Sequence, residues 1–392
     1  MKAAPTSSTH IDRLEGAPAP PLACSAVLTH HWLVRMRGGE KVLAAIAELL
    51  PDAAIHTLVH DPAAVTIQSR AGAPLPVITS ALQCLPGVLR YYPHLLPLMP
   101  LAFRRMRLPA VDLVVCSDAA IAKAMTTDPR SRVVCYCHSP PRYAWEPEIR
   151  RQYALSLPRP LRPLFNLAAE RVRRADADAA RRVDQFIANS RHVADRIRRC
   201  YGRHSLVIHP PVDLPPEPSK DAREDFYLCV GHHVPYKRLD LAIAACQRLG
   251  RRLAIIGEGP DVRRYAALAD SLRVTPTFLG YQPDDIVQDH YRRARGLLFP
   301  GEEDFGIVPV EAMAHGCPVI AYGVGGACET VVDGVTGVLF REQTEKSLAA
   351  AIERAEALSF DSAALHERMQ RFSRARFLRE MHAALTDVLA AH

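Results

Sequence analysis

The residues best suited to chemistry are two glutamates, Glu303 and Glu311, with seven residues between them. Gly306 can adopt backbone angles that other residues avoid, and Pro309 favours the first position of a helix. The amides of residues 305–308 therefore point out of a helix N-terminus, which is suited to binding an anion such as a diphosphate. Two carboxylates would repel that anion unless each holds a sugar hydroxyl. Glu311 taken alone is also explained as a helix-capping residue.

A basic loop, Gly231–Arg238, follows the strand expected over Phe226–Val230. Lys237 in this loop is a candidate ligand of a diphosphate. His232 would add one hydrogen-bond donor and part of a positive charge near neutral pH. The alternative for both residues is a solvated loop.

Two further loops in the first half of the chain carry candidate site residues. Gly38 and Gly39 follow the first expected strand, where glycines let backbone amides approach a diphosphate, unless the loop is a plain turn. His138 leaves another strand and enters a proline-bounded loop, a position typical of a cleft. This loop continues into three residues that could contact an acceptor sugar, although a core position is an equal alternative: Arg142, Tyr143 and Trp145.

Short β-rich runs alternate with helical patterns along the chain. The expected strands are Cys24–Thr29, Ala54–Val59, Asp112–Cys116, Arg132–Cys137, Gln185–Asn189, Phe226–Val230, Leu253–Gly257, Thr277–Gly280, Gly296–Phe299 and Pro318–Ala321. The expected helices are Glu40–Leu50, Ala119–Met125, Arg191–Cys200, Asp240–Leu249, Asp261–Leu272, Asp284–Ala294 and Pro309–His315. Strand–helix alternation with short connections predicts a parallel sheet covered on both faces, and here it occurs twice. We therefore predict an α/β fold of two Rossmann-like, doubly wound domains. Their facing strand ends would form a ligand-binding cleft.

Five prolines between Pro210 and Pro218 predict a linker, because proline continues neither a helix nor a central strand. We expect a disordered tail over 1–22, an acceptor-side domain over 23–209 and the linker over 210–224. A nucleotide-sugar-binding domain would follow over 225–375, and a C-terminal helix over 376–392 could pack back on the first domain.

The composition excludes several classes of protein. The chain has 392 residues, 48% of them hydrophobic and 23% charged, which is typical of a globular protein and not of a disordered one. No run of 18 apolar residues predicts a membrane span, and residues 1–21 do not resemble a secretory signal. The ten cysteines lack zinc spacing and indicate free thiols in a cytosolic protein. The net charge of +7 does not by itself distinguish a nucleic-acid, phosphate or anionic-membrane partner.

Two other segments need an interpretation. Asp176 and Asp178 have the spacing of a metal-binding pair but lie among arginines on an expected helix, so we interpret them as solvated ion pairs. We expect no bound metal. The segment Leu85–Leu108 combines apolar, aromatic and arginine residues with four prolines. This mixture suits a membrane surface, and an internal helical hairpin is the equal alternative.

The segment Glu303–Glu311, with the downstream stretch Ala312–Ala321, Gly325-Gly326, Glu329 and Val332–Gly337, resembles the E-x7-E region of retaining GT-B glycosyltransferases of the GT4 group. The resemblance extends over nearly all of residues 23–340. It implies a retaining, metal-independent hexosyltransferase that needs no cofactor beyond its nucleotide-sugar substrate.

The resemblance also assigns roles. Glu311 would bind the ribose of the nucleotide, and Glu303 a hydroxyl of the donor sugar. Four residues would contact the sugar and diphosphate: Phe305, Gly306, Ile307 and Val308. Lys237 would bind the diphosphate, while His232 stands where the family usually has arginine. His138 would contact the donor sugar, with Gly38 and Gly39 at the junction of donor and acceptor.

The loops around His138, Lys237 and Glu303 look most like those of α-mannosyltransferases of bacterial polysaccharide and O-antigen assembly. GDP-mannose is therefore the leading donor. The expected acceptor is a saccharide, lipid-linked in the favoured interpretation, and nucleic acid is not an expected partner. The enzyme would be cytoplasmic, with peripheral contact to the inner face of the membrane through 85–108. The alternatives are a UDP- or dTDP-sugar donor, a nucleotide-sugar epimerase, a phosphorylase, or an inactive nucleotide-binding protein.

Overall fold

The computed structural model describes residues 19–219 and 221–391. Most of the tail predicted over 1–22 lies outside these residues. Of its described part, Leu22 donates its amide to the carbonyl of Leu49 at 2.9 Å.

The first half of the chain forms a seven-stranded parallel sheet in the order β3-β2-β1-β4-β5-β6-β7. Its strands are β1 (Ala26–His30), β2 (Ala54–Thr57), β3 (Val77–Thr79), β4 (Leu113–Asp118), β5 (Arg132–Cys137), β6 (Gln185–Ala188) and β7 (Ser205–Val207). Alternate residues of β4 and β5 enter two separate hydrophobic clusters, one on each face of the sheet. These strands are apolar on both sides because helices cover both faces.

The second half forms a six-stranded parallel sheet in the order β10-β9-β8-β11-β12-β13. Its strands are β8 (Tyr227–Val230), β9 (Leu253–Ile256), β10 (Thr277–Gly280), β11 (Gly296–Phe299), β12 (Val319–Tyr322) and β13 (Gly337–Phe340). In both sheets the strand order reverses direction beside the first strand, and ligands of doubly wound folds bind outside the strand ends at that point.

Fifteen α-helices lie within the described residues. They are α1 (Gly38–Ala47), α2 (Val88–Tyr91), α3 (Met99–Arg105), α4 (Arg142–Trp145), α5 (Pro147–Leu155), α6 (Arg162–Ala180), α7 (Arg191–Tyr201), α8 (Leu239–Leu249), α9 (Val262–Ser271), α10 (Asp284–Arg293), α11 (Ile307–Ala314), α12 (Ala327–Thr330), α13 (Glu345–Glu356), α14 (Ser362–Met369) and α15 (Arg374–Ala390). None of these helices has both the length and the apolarity needed to cross a membrane.

The α/β architecture of two Rossmann-like domains is confirmed, and three details of the prediction are corrected. The segment predicted as the helix Ala119–Met125 contains only a short 3₁₀ turn, Ala122–Ala124. Helix α11 begins at Ile307 instead of Pro309. Proline is tolerated at this third position because the first four amides of a helix have no partner inside it. Strands β3, β7 and β13 were not predicted.

The last helix, α15, packs against the first domain. Phe377, Met381 and Leu385 share a hydrophobic cluster with Leu28 of β1 and Ile46 of α1. Arg374 at the start of the helix forms an ion pair with Glu48. The chain therefore crosses between the domains twice, and at the crossing the amide of Val212 donates to the carbonyl of Phe372 at 3.0 Å.

The interpretation of Asp176 and Asp178 as solvated ion pairs is wrong for Asp176. Its side chain is fully buried and accepts hydrogen bonds from Lys123 at 2.5 Å, Trp145 at 2.7 Å and Tyr201 at 2.8 Å. Asp178, by contrast, is exposed and pairs with Arg104. Asp176 faces the core and Asp178 faces solvent because residues two positions apart lie on different sides of an amphipathic helix.

The segment Leu85–Leu108 has features of both interpretations. Val88, Met99 and Phe103 are buried in the first domain, as an internal hairpin requires. On the outer side, Leu89, Leu98, Leu101 and the arginines 104, 105 and 107 are exposed.

Candidate functional site

A cleft of about 650 Å³ lies between the two domains, at the carboxyl ends of their strands. Most of the predicted site residues line it: Gly38, Gly39, His138, Arg142, Tyr143, Glu303, Phe305, Gly306, Ile307 and Val308. Another cavity, of about 450 Å³, lies around Arg251 and Arg273 and contains none of them. We therefore regard the interdomain cleft as the candidate site.

The loop between β11 and α11 presents its backbone to the cleft. Gly306 has a φ of +84°, a conformation that favours glycine, and the helix begins at the next residue. A glycine pair after β12, Gly325 and Gly326, holds this loop in place. The amide of Gly326 donates to the carbonyl of Glu303 at 2.8 Å, and a Cβ on Gly326 would lie 2.3 Å from the Cα of Phe305. The close packing leaves the free amides of α11 directed at the site.

Glu303 and Lys237 form an ion pair at the floor of the cleft. Glu303 lines the cleft, and Lys237 lies just beyond it with its ammonium 5.7 Å from the centre of the Phe299 ring. The side chain of Lys237 also lies against Gly231, where a Cβ would come 3.6 Å from the Nζ atom. An anion bound at the start of α11 would therefore compete with Glu303 for Lys237, since the two residues form an ion pair in this structure.

Glu311 is half-buried on α11 and does not line the cleft itself. The hydroxyl of Tyr291 donates to its carboxylate at 3.2 Å. Burial raises the pKa of Glu311 above its ordinary value, and the positive charge of Lys41 from the first domain opposes this rise. Lys41 itself donates to Asp284 at 3.2 Å. Both domains thus contribute charge around Glu311.

His138 follows β5 and is held on two sides. Its Nε2 atom lies 2.8 Å from the hydroxyl oxygen of Ser117, and its carbonyl accepts a hydrogen bond from the side-chain amide of Asn189 at 3.0 Å. Burial, and after it the neighbouring His30, lowers the pKa of His138 to about 4. The imidazole is therefore neutral at pH 7.

The paired glycines at the start of α1 bring the two domains together. A Cβ on Gly38 would lie 2.9 Å from the Cδ1 atom of Ile307 in the second domain. A Cβ on Gly39 would lie 3.7 Å from Nε2 of His138, an ordinary contact distance. At Gly38 an added side chain would require the end of the Ile307 side chain to move.

The three residues predicted to contact an acceptor separate into two groups. Arg142 and Tyr143 line the cleft, and Arg142 forms an ion pair with Glu146. Trp145 does not line it, because its indole donates to the buried Asp176.

His232 is exposed on its loop and also lies outside the cleft lining. Arg238 faces away from the site and pairs with Asp240.

The sequence analysis missed the contacts that join the domains beside the cleft. Arg196 of α7 is 2% exposed, donates to the Ser139 hydroxyl at 2.8 Å and forms an ion pair with Asp304 of the second domain. Glu329 accepts from the backbone amides of Arg191 and His192, at 3.0 and 3.1 Å. The sequence held no local signal for these contacts because their partners lie more than 100 positions apart along the chain.

Comparison with known families divides the chain at the linker. Residues 36–215 match the model of the Glycosyltransferase Family 4, and residues 213–376 match that of the Glycosyl transferases group 1. The two matches together extend over every strand of the two sheets except β1, and over every residue that lines the cleft except those before residue 36.

Curated relatives include the D-inositol 3-phosphate glycosyltransferases of Nocardiopsis dassonvillei and of a Mycobacterium species (strain JLS). The first is 31% identical over 216 residues, which cover 46% of this chain and 49% of the relative. The second is 36% identical over 179 residues, which cover 40% and 41%. The chain thus matches less than half the length of either relative.

Solved structures share the fold over the whole molecule. Sucrose-phosphate synthase from Thermosynechococcus elongatus has a TM-score of 0.66 at 19% identity, covering 94% of this chain and all of that one. Anabaena HepE in complex with UDP-glucose has a TM-score of 0.64 at 18% identity, covering 93% and 100%. The lipopolysaccharide outer core galactosyltransferase WaaB has a TM-score of 0.64 at 14% identity, covering 92% and 99%.

Proposed function

We propose that this chain is a glycosyltransferase of the group 1 and family 4 type, which transfers a hexose from a nucleoside diphosphate to a saccharide acceptor. The observation that supports the proposal most directly is the meeting of three features at one cleft. These are the free amides at the start of α11, the Lys237–Glu303 pair and the neutral His138.

In this proposal the diphosphate binds at the start of α11, where the free amides and the helix dipole favour negative charge. Lys237 then exchanges Glu303 for the diphosphate, and the carboxylate becomes available for a hydroxyl of the donor sugar. Glu311 binds the ribose. Phe305, Gly306, Ile307 and Val308 contribute mainly backbone, since the Phe305 ring is buried among core residues.

The chemical step we propose retains the anomeric configuration and needs no metal. The bond from the anomeric carbon to the diphosphate oxygen breaks while the acceptor oxygen approaches from the same face. The departing diphosphate takes the proton of the acceptor hydroxyl. Lys237 and the α11 amides stabilise the negative charge that develops on the leaving group. Activity should accordingly survive treatment with EDTA.

Two nucleotide sugars are candidates for the donor. The resemblance of the loops to those of α-mannosyltransferases supports GDP-mannose. The inositol-phosphate glycosyltransferase relatives and the UDP-glucose complex of HepE support a different nucleotide sugar, such as a UDP-hexose. A direct comparison of donors decides between them.

The acceptor side of the cleft is more apolar than the donor side. Beyond Arg142 and Tyr143 its lining includes Trp32, Leu96 and Phe165. Such a wall suits a saccharide carried on a lipid, and the outer face of Leu85–Leu108 presents leucines and arginines that suit an anionic membrane. We therefore include a lipid-linked acceptor and peripheral contact with the inner face of the cytoplasmic membrane in the proposal.

The test is release of nucleoside diphosphate from GDP-mannose, UDP-glucose, UDP-galactose, UDP-N-acetylglucosamine and dTDP-glucose, each alone and with a membrane lipid extract. One donor should be turned over, with EDTA present. Lys237→Met should abolish release, while Arg238→Met, which removes the adjacent basic residue that pairs with Asp240, should leave it intact. Conversion of a donor to its epimer, or no turnover of any donor, would refute the transferase assignment.

A further inference from the structure

Behind His138, a row of buried polar side chains leads from the cleft into the first domain. The Nε2 atom of His138 lies 2.8 Å from the hydroxyl oxygen of Ser117. The Nδ1 atom of His30 lies 2.9 Å from the carbonyl oxygen of Ser117 and 3.1 Å from its hydroxyl oxygen. On the far side, Nε2 of His30 lies 3.5 Å from a carboxylate oxygen of Glu40. His30 and Ser117 are fully buried, and Glu40 is 4% exposed.

The order of donors and acceptors along this row determines which of its atoms carry a hydrogen. A carbonyl oxygen can only accept, so Nδ1 of His30 carries a hydrogen and directs it at Ser117. Nε2 of His30 faces the Glu40 carboxylate at 3.5 Å and has no hydrogen-bond partner among the described residues. Within the described part of the chain, the hydroxyl of Ser117 has two partners, Nδ1 of His30 and Nε2 of His138. Because Nδ1 of His30 is a donor, the hydroxyl hydrogen of Ser117 finds its acceptor at Nε2 of His138.

The charges agree with this arrangement. Burial opposes ionisation of Glu40, yet its interaction with His30 keeps the pKa of Glu40 below the ordinary value. His31 lies beside His30 with ring centres 4.2 Å apart and the rings tilted, and burial lowers the pKa of His31 well below that of an ordinary histidine. The Glu40 carboxylate thus faces His30, while burial disfavours a positive charge on the rings of His31 and His138.

We propose that Glu40 and His30 act through Ser117 to hold His138 in a single tautomer, with its hydrogen on Nδ1. The N–H group at Nδ1 is then the only one that this ring can offer to a ligand in the cleft. Its contribution to turnover rests on the proposed function. Glu40, His30 and Ser117 are positioning residues, since only His138 lines the cleft.

Helix α1 gives this row its rigidity. The second carboxylate oxygen of Glu40 accepts from the amide of Arg37 at 3.1 Å, which closes the first turn of the helix. Gly39 packs against both imidazoles, with a Cβ there lying 3.6 Å from His30 and 3.7 Å from His138. The same turn therefore holds the carboxylate and limits the movement of the two rings.

A bound metal ion is the competing explanation. One side-chain donor atom each from His30, His31 and Glu40 lie within 4.8 Å of one another, and neither Nε2 of His30 nor Nδ1 of His31 has a hydrogen-bond partner among the described residues. A cation here would replace the direct contact between His30 and Glu40. The proposal requires that direct contact, so the two arrangements exclude each other.

The test uses long-range proton–nitrogen spectra of protein labelled with ¹⁵N-histidine, with His138→Gln and His30→Gln assigning the signals. His138 should show the neutral tautomer protonated on Nδ1, and His30 should carry a hydrogen on Nδ1. Ser117→Ala should give His138 a mixture of tautomers. Ser131→Ala, at another buried serine, should change neither ring. Glu40→Gln keeps the helix cap but removes the negative charge that faces His30, so it should change the His30 signals.

Turnover of the donor provides the second readout. Ser117→Ala should lower kcat roughly five- to tenfold, the value of one neutral hydrogen bond, and should leave KM for the donor within about twofold. An unchanged His138 spectrum in Ser117→Ala, a hydrogen on Nε2 in the wild type, or stoichiometric metal in the purified protein would overturn the proposal. If the spectra are as expected but no donor is turned over, the row stands and the proposed function fails.

Discussion

The two glutamates of the site stand in different surroundings. Glu303 pairs with Lys237 in the cleft, whereas Glu311 is held on α11 by Tyr291 and lies near Lys41. In the proposed function, Glu303 contacts the sugar, which changes shape during transfer, and Glu311 contacts the nucleotide, which is held throughout. Their substitutions should therefore affect different kinetic constants.

Glu311→Ala should mainly weaken binding of free nucleotide, by about 1.5–3 kcal/mol for each charge-assisted hydrogen bond lost, with a matching rise in KM. Glu303→Gln should lower kcat while barely changing that affinity, because its contact strengthens as positive charge develops on the sugar. Calorimetric titration with nucleotide and steady-state kinetics measure the two effects, after circular dichroism has shown that both variants are folded. Equal loss of nucleotide affinity in both would contradict the division.

His138 also links pH to stability. Its pKa falls from about 6.5 in an unfolded chain to about 4 in the folded protein, first because of burial and then because of His30. Between these values the unfolded chain binds a proton that the folded protein does not, so the free energy of unfolding decreases as the pH falls from about 6.5 to 4. His138→Gln should reduce the difference in urea stability between pH 7 and pH 5. The exposed His204→Gln serves as control, and an equal reduction there would show that the effect is not specific to His138.

At the scale of secondary structure, the sequence predicted elements that have local signals, and it did not predict contacts between residues far apart along the chain. The strands ending at Phe299 and Cys137 were predicted with their ends correct, since apolar runs bounded by glycine or proline are local signals. The buried site of Asp176 was not, because its partner Lys123 lies 53 residues away. The row behind His138 was missed for the same reason, as 87 residues separate His30 from Ser117.

The start of α1 provides a test at this scale. Gly38→Ala would place a methyl group 2.9 Å from Cδ1 of Ile307, so either the end of the Ile307 side chain rotates away or the two domains shift apart. Because the proposed donor site uses the amides of α11, which begins at Ile307, the variant should raise KM for the donor several-fold. Ile307→Val removes the atom that Gly38→Ala meets, and the double variant should recover most of the lost affinity. Without recovery, the defect lies in the α1 turn and not in the domain contact.

For the whole molecule, Glu329 is a contact through which the second domain holds the first. Its carboxylate accepts the first two amides of α7 and lies 3.2 Å from Nε2 of His209. The pKa of Glu329 is kept low against the effect of burial by His209 and these amides. The contact therefore stabilises the arrangement of the domains seen in this structure.

Glu329→Gln should weaken this contact and increase the radius of gyration in small-angle X-ray scattering, because one amide nitrogen replaces an acceptor oxygen. The change should disappear when nucleotide is added, as the ligand itself holds the domains together. Glu353→Gln, at an exposed position of α13, controls for the loss of a negative charge. An identical radius for the Glu329 variant and the wild type would show that the contact is dispensable.

The double crossing of the chain limits how such a molecule can open. The two connections pass side by side at Val212 and Ser373, and they are joined there by backbone pairing. Two adjacent connections joined by backbone pairing bend most easily about the line between them, and they resist twisting and sliding. We therefore expect any opening of the domains to be a rotation about that line, which would return Ile307 to the same place against Gly38.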